Sequence, residues 1–235
     1  MDISQKNLFK NEELDKELQE YVAEYGLFHP LVQTLFYSNF DDADGFNPLA
    51  AQLNEQLKSK KKRLAIADGN EDWALSLILH ERYSRLQAFV DRCWMMAPED
   101  YWSNLGWLWI DTENPSTQID VWTMLFTNDV SNRENIMTVE ERKYLESQPD
   151  SIQVFRGYDH SGKHPLEGLS WTLSQDKAEW FARRYSPDKP LLGVGEVSKD
   201  SVLAYFNGRG EQEIVVNPKD VNVTALAVLA VKEET

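Results

Sequence analysis

The stretch Val202-Leu-Ala-Tyr-Phe-Asn-Gly-Arg-Gly-Glu-Gln-Glu-Ile-Val-Val216 decides how the chain is read. Two runs of β-branched, aliphatic and aromatic residues flank a turn of Asn and Gly, which predicts two strands joined by a loop. The two glycines of the loop let the backbone bend sharply. Two glutamates, Glu211 and Glu213, open the second run. Side chains alternate along a strand, so the two carboxylates are expected on one face. Taken alone, such a pair is most often a solvated acidic edge.

Working outward, the same strand pattern recurs through the C-terminal part of the chain. Ile152-Gln-Val-Phe-Arg alternates, and Gly168-Leu-Ser-Trp-Thr makes a second candidate strand. Gln175 to Tyr185 predicts a short helix with Ala178, Phe181 and Ala182 inward. Leu191 to Val197 and Val223 to Val231 complete a set of six strands with Val202–Phe206 and Glu211–Val216.

The front of the chain has the other periodicity. Leu14, Leu18, Tyr21, Val22 and Tyr25 fall on one helical stripe, with Gly26 as a stop. Leu86, Phe89, Val90, Cys93 and Trp94 repeat that spacing as far as Pro98. Pro98-Glu-Asp opens a further helix, with its acids in the first turn. Pro115 starts another, through Ile119, Trp122 and Leu125. Thr138 and Glu141 match a capping box. Six of the eight tryptophans lie between Trp73 and Trp122, which fits a Trp-rich helical core better than a groove. The expected fold class is therefore α+β: a helical region over residues 1–149, then a mainly antiparallel β-sandwich over 150–235.

Charge follows the same division. The chain of 235 residues carries a net charge of −15. Residues 1–150 hold 14 basic and 27 acidic side chains, and residues 151–235 hold 10 and 12. Such a balance argues against general nucleic-acid binding and against binding to anionic membranes. One cysteine, no apolar leader and no apolar run of about 18 residues lead to the expectation of a cytoplasmic protein.

Several motifs carry no chemistry. The basic run Lys58, Lys60, Lys61, Lys62 and Arg63 reads as a solvated helix end or loop. Asp41, Asp42 and Asp44 resemble a calcium loop but lack its oxygen ligands at the required positions. His160 and His164 have no third ligand, so no metal is expected. Cys93 falls on an apolar stripe and is expected to be buried and inert.

Three segments of the back stand out together: Val154-Phe-Arg-Gly, Leu169-Ser-Trp-Thr-Leu-Ser with the helix after it, and Gly208-Arg-Gly-Glu-Gln-Glu. From Arg156 to Glu213 they span 58 residues. Their order and spacing resemble the arginine–serine–glutamate class of ADP-ribosyltransferases, a family of bacterial toxins, phage-encoded modifying enzymes and vertebrate ecto-enzymes. The resemblance covers about residues 150–231. Arg156 matches the family's arginine, Ser170 and Thr172 its Ser-Thr-Ser segment, and Glu211 and Glu213 its paired glutamates. Trp171 stands where the family has a small residue.

The resemblance implies an ADP-ribosyltransferase-type NAD-binding core that transfers ADP-ribose from NAD to a protein acceptor. It implies catalytic roles for Glu213, Glu211, Arg156 and Ser170, and NAD contacts from Arg156, Gly157, Ser170, Trp171, Thr172 and Glu213. A Glu at position 211 goes with arginine acceptors, so a basic or arginine-presenting protein is the expected partner. Tyr205 or Phe206 would meet that acceptor, and Arg183 or Arg184 would reach a phosphate. For a phage-encoded enzyme the site of action would be the host cytoplasm. Two alternatives stand beside the transferase: an NAD glycohydrolase, and a non-enzymatic acidic binding or inhibitor protein on the same fold.

Overall fold

A computed structural model describes residues 12–35, 37, 48–158, 166–184 and 188–230. The chain forms two compact units, Met1–Asn104 and Leu105–Thr235. It is a mixed protein, with a helical N-terminal half and antiparallel sheets. Residue 150 falls inside the second unit.

Among the described residues, the first unit opens with a single helical turn, α1 (Lys16–Gln19), capped by Asp15, whose carboxylate accepts the Glu17 N–H. A small antiparallel sheet follows: β1 (Val22–Ala23), β2 (Gly26–His29) and β3 (Val32–Thr34), in that order. The continuous helix expected across Leu14–Tyr25 is absent. Only Leu14 and Leu18 of its stripe are buried, while Tyr21 and Tyr25 are exposed. One turn with two anchors does not offset the cost of helix nucleation, and the chain turns into a sheet instead. Gly26 is also not a helix stop. A Cβ there would lie 2.4 Å from the Thr34 carbonyl oxygen, so glycine is what lets β3 approach.

The remaining described residues of this unit are mainly helical: α2 (Pro48–Gly69), α3 (Trp73–Leu79), α4 (Arg85–Val90) and the start of α5 (Pro98–Asp111). Ala50, Leu53 and Leu57 of α2 meet Leu14, Leu18, Leu27 and Val32 in one core cluster. The basic run lies inside α2, not at a helix end. Its Lys60 pairs with Glu81 at 2.8 Å, and Lys61 pairs with Glu17. The stripe from Leu86 leaves the α-helix after Val90 and continues as a 3-10 turn at Cys93–Met95. Cys93 is half-buried there, with its thiol pushed up by burial. Asp41, Asp42, Asp44, His160 and His164 lie outside the described residues.

The second unit takes the C-terminal half of α5, then α6 (Ile119–Phe126) and α7 (Val139–Glu146). The Thr138–Glu141 capping box forms in both directions. Among the described residues six strands follow, with one α-helix among them: β4 (Ser151–Tyr158), β5 (Ser170–Thr172), α8 (Gln175–Arg183), β6 (Leu191–Ser198), β7 (Val202–Phe206), β8 (Glu213–Val216) and β9 (Asn222–Val228). All pairings are antiparallel, in the order β7-β8-β5-β4-β6-β9.

Strand pairing links the six strands into one hydrogen-bonded sheet. Its two three-stranded halves are joined at its centre by one residue pair, Phe155–Thr172. β5 itself is only three residues long. Ile152, Val154, Trp171, Tyr205, Ile214 and Val216 share one core cluster, and Phe155, Ala178 and Leu192 form another under α8. Gly157 is required beneath α8, because a Cβ would fall 1.7 Å from the Ala178 carbonyl oxygen.

Candidate functional site

The site lies wholly within the second unit, where β5, β8, the loop before β8 and the last turns of α5 converge. Thr172 pairs with Glu213 across the β5–β8 ladder, and Ser170 pairs with Val215 two residues on. Alternation therefore puts Ser170, Thr172 and Glu213 on one face. The Ser170 hydroxyl donates to Glu213 Oε1 at 2.5 Å. The same oxygen accepts the Trp109 indole N–H at 3.1 Å. Two donors from separate elements thus fix one carboxylate oxygen.

Glu213 is only 5% exposed. Burial pushes its carboxyl above the ordinary value, and Ser170, Arg209 and Trp109 pull it back. A buried carboxylate held by oriented donors is the kind of group that active sites use.

Glu211 is placed differently from the simple expectation. β8 begins at Glu213, and Gln212 has φ of +49°, so strand alternation does not link the two glutamates. What unites them is Arg209. Its Nη2 lies 2.9 Å from Glu211 Oε2 and 3.6 Å from Glu213 Oε2, and its Nη1 donates to the Ile110 carbonyl oxygen at 3.0 Å. Asn207 holds the loop from within, accepting the Gln212 N–H on its side chain and the Gly210 N–H on its carbonyl.

Arg156 donates through Nη1 to the Ser170 carbonyl oxygen. Its guanidinium lies against Gly168, where a Cβ would come 2.1 Å from Nη2. Desolvation lowers its pKa to about 10, partly offset by the negative charge of Glu213, so it remains a cation at pH 7. Arg156, Ser170, Glu211 and Glu213, which are distant in sequence, are thus brought together.

Other expected contacts are placed elsewhere. Trp171 belongs to the core cluster and is 2% exposed, so its ring is not available to a ligand. Alternation sends it to the face opposite Ser170. Gly157 serves the packing of α8. The Thr172 hydroxyl is committed to main chain: it donates to the Glu211 carbonyl oxygen at 2.6 Å and accepts the Ser174 N–H at 3.0 Å. It braces β5 against the glutamate loop.

Tyr205 is buried in the core and stacks on Tyr144 at 4.7 Å, with its hydroxyl pushed up to about 12, chiefly by burial. Phe206 is also buried but lines the depression beside the glutamates. Neither ring is exposed enough to meet a protein acceptor. Arg183 pairs with Glu179 at 3.0 Å, and Arg184 lies over the Trp180 ring at 5.4 Å. Among the described residues, no group of three or more His, Cys, Asp or Glu is placed to hold a metal ion.

Two site residues were not legible from sequence. Trp109 lies among other buried aromatics, edge-on to Trp122 and Phe126 at 5.1 Å each. Nothing in its spacing separates it from a plain core tryptophan. Arg209 offered a signal: a cation between two glycines, two and four residues before the glutamates.

The depression lined by Ile110, Phe206, Gly208, Arg209, Glu211 and Glu213 is small and partly open to solvent. It falls far short of the roughly 300–1,000 Å³ of ligand pockets, so it does not hold a dinucleotide as it stands. No protein-family model, curated protein or solved structure matches this chain. Among the described residues, no helix is long and apolar enough to cross a membrane.

Proposed function

We propose that this chain is a mono-ADP-ribosyltransferase that moves ADP-ribose from NAD to a protein acceptor, with an arginine side chain as the acceptor group. One observation carries this reading: Glu213 is a buried carboxylate with one oxygen fixed by Ser170 and Trp109 and the other 3.6 Å from the Arg209 guanidinium. NAD supplies a ribosyl carbon whose bond to nicotinamide breaks with build-up of positive charge. A preorganised carboxylate in a dry site stabilises such charge, as in glycoside hydrolysis.

The chain's own groups divide the remaining work. Glu213 Oε2 faces the developing cation and holds a ribose hydroxyl. Ser170 keeps the carboxylate from rotating. Arg156 supplies a permanent positive charge for a pyrophosphate. Glu211, 2.9 Å from a guanidinium, is the group that orients an acceptor arginine and takes its proton. The nearly neutral charge of residues 151–235 suits an anionic ligand, and the acidic front favours a basic acceptor. The donor set fits the ribose side of NAD. The small depression means that the loop carrying Arg209 has to move before a dinucleotide enters.

Purified protein is incubated with labelled NAD and cell lysate, following both protein labelling and nicotinamide release. Wild type labels a protein, and Glu213→Gln does not. Wild type that releases no nicotinamide and labels nothing refutes the reading. Nicotinamide release without labelling assigns glycohydrolysis instead. A partner that is captured equally by wild type, Glu213→Ala and Arg156→Ala, with no NAD cleavage, assigns the binding-protein alternative.

A further inference from the structure

We propose that Arg209 is a tethered occupant of a guanidinium seat, and that an external guanidinium group takes this seat only by displacing it. Three acceptors from separate places in the chain converge on the Arg209 fork: Glu211 Oε2, Glu213 Oε2 and the Ile110 carbonyl oxygen. Ile110 lies in the last turn of α5 (Pro98–Asp111), where carbonyls have no partner within the helix and the helix dipole is negative. That third acceptor makes the seat more than a pair of acids. A guanidinium offers five donors in one plane, so it can meet acceptors at several angles at once; an ammonium has no such fork.

A second observation points to a ligand. Glu213 is 5% exposed, yet its Oε2 has a cation only at 3.6 Å, beyond ordinary hydrogen-bond length. A buried carboxylate oxygen is thus aimed into the seat while Arg209 sits nearer to Glu211. Arg209 fills the space while meeting the site's most buried acceptor only through this longer ion pair.

The occupant is also built to leave. Its side chain is 42% exposed, so its ion pairs are screened by water and weak. It stands between Gly208 and Gly210; a Cβ at either would meet nothing within 4 Å, and Gly210 has φ of +67°. Neither flanking glycine is packed against a neighbour, so displacing the Arg209 side chain unpacks no core. A site that is competent only when the latch is off binds more weakly by the fraction of time it is on.

In taking that external group to be the acceptor, this inference rests on the transferase reading; the seat itself is tested by binding. Agmatine is titrated into wild type, Arg209→Met and the double variant Arg209→Met/Glu211→Gln. The readout is the Trp109 indole N–H resonance, assigned by its loss in Trp109→Phe. Arg209→Met should bind agmatine about tenfold tighter than wild type, the indole signal should shift with occupancy, and Glu211→Gln should abolish the gain. Butylamine should show no comparable gain. Equal agmatine affinity in wild type and Arg209→Met overturns the proposal, as does binding that ignores Glu211→Gln. Nicotinamide release on the same proteins keeps the two ideas apart. Agmatine binding without NAD cleavage leaves the seat standing and removes the transferase. NAD cleavage without the agmatine gain does the reverse.

Discussion

Replacing Trp109 by Phe isolates the bond that aims the carboxylate. The change removes the indole N–H that donates to Glu213 Oε1 at 3.1 Å and leaves an aromatic ring. Trp109 packs edge-on against Trp122 and Phe126 at 5.1 Å each, and a phenyl ring keeps most of both contacts. Such pairs contribute about 0.5–1.5 kcal/mol each, so the packing loss is the smaller part. The hydrogen bond goes to a charged, nearly waterless acceptor, where a bond contributes about 1.5–3 kcal/mol. Water cannot replace it at a group 5% exposed.

A double-mutant cycle with Glu213→Met cancels the packing term and leaves the pair. Urea unfolding at pH 8 should give a coupling energy of about 1.5–3 kcal/mol. The N–H favours the ionised carboxyl, so the coupling should shrink as Glu213 is protonated on acidification. A coupling below about 0.5 kcal/mol at pH 8 would mean that Trp109 is only a core residue.

Three further predictions are independent of that cycle. Gly157→Ala forces a Cβ into the backbone of α8, which cannot yield as a side-chain tip can, so stability should fall by about 1–3 kcal/mol or more by thermal unfolding; an unchanged midpoint would free Gly157 for another role. Gly168→Ala meets only the far end of the Arg156 side chain, so the fold should hold while nicotinamide release drops at least tenfold; normal release would remove Arg156 from the proposed chemistry. Glu213→Gln tests pH dependence. Burial raises the folded-state pKa of Glu213, so its contribution to stability is fully present below the ordinary value of 4.5 and is lost as pH rises through the raised value. Gln has no such loss, so wild type should lose stability relative to the variant between pH 4 and pH 8. Wild type that gains on the variant over that range would refute that sign.

Strand and helix assignments in the second unit follow local rules and were open to sequence. Alternation located β4, β6 and β7 nearly to the residue, and Thr138 with Glu141 marked the start of α7 through chemistry that acts within one turn. The same rules failed at Leu14–Tyr25. A stripe there is a helix only when a core exists to receive it, and two of its tyrosines face water. The one-pair junction of the sheet at Phe155–Thr172 depends on how far β5 runs, which no periodicity states.

For the site, residue type and order brought out Arg156, Ser170, Glu211 and Glu213, because a charged fork, a hydroxyl and paired carboxylates limit the chemistry a cleft can do. The family resemblance also made Trp171 a candidate, and tertiary packing placed it in the core. Only the folded chain could decide that Trp109, 104 residues before Glu213, completes the carboxylate's anchoring. Only it could decide that Arg209 lies between the two glutamates, since a left-handed Gln212 breaks the alternation that would have placed them. Composition and short-range pattern determine which chemical groups the chain offers and on which elements they ride. Their mutual distances depend on side-chain directions summed over long loops, and those are settled by packing.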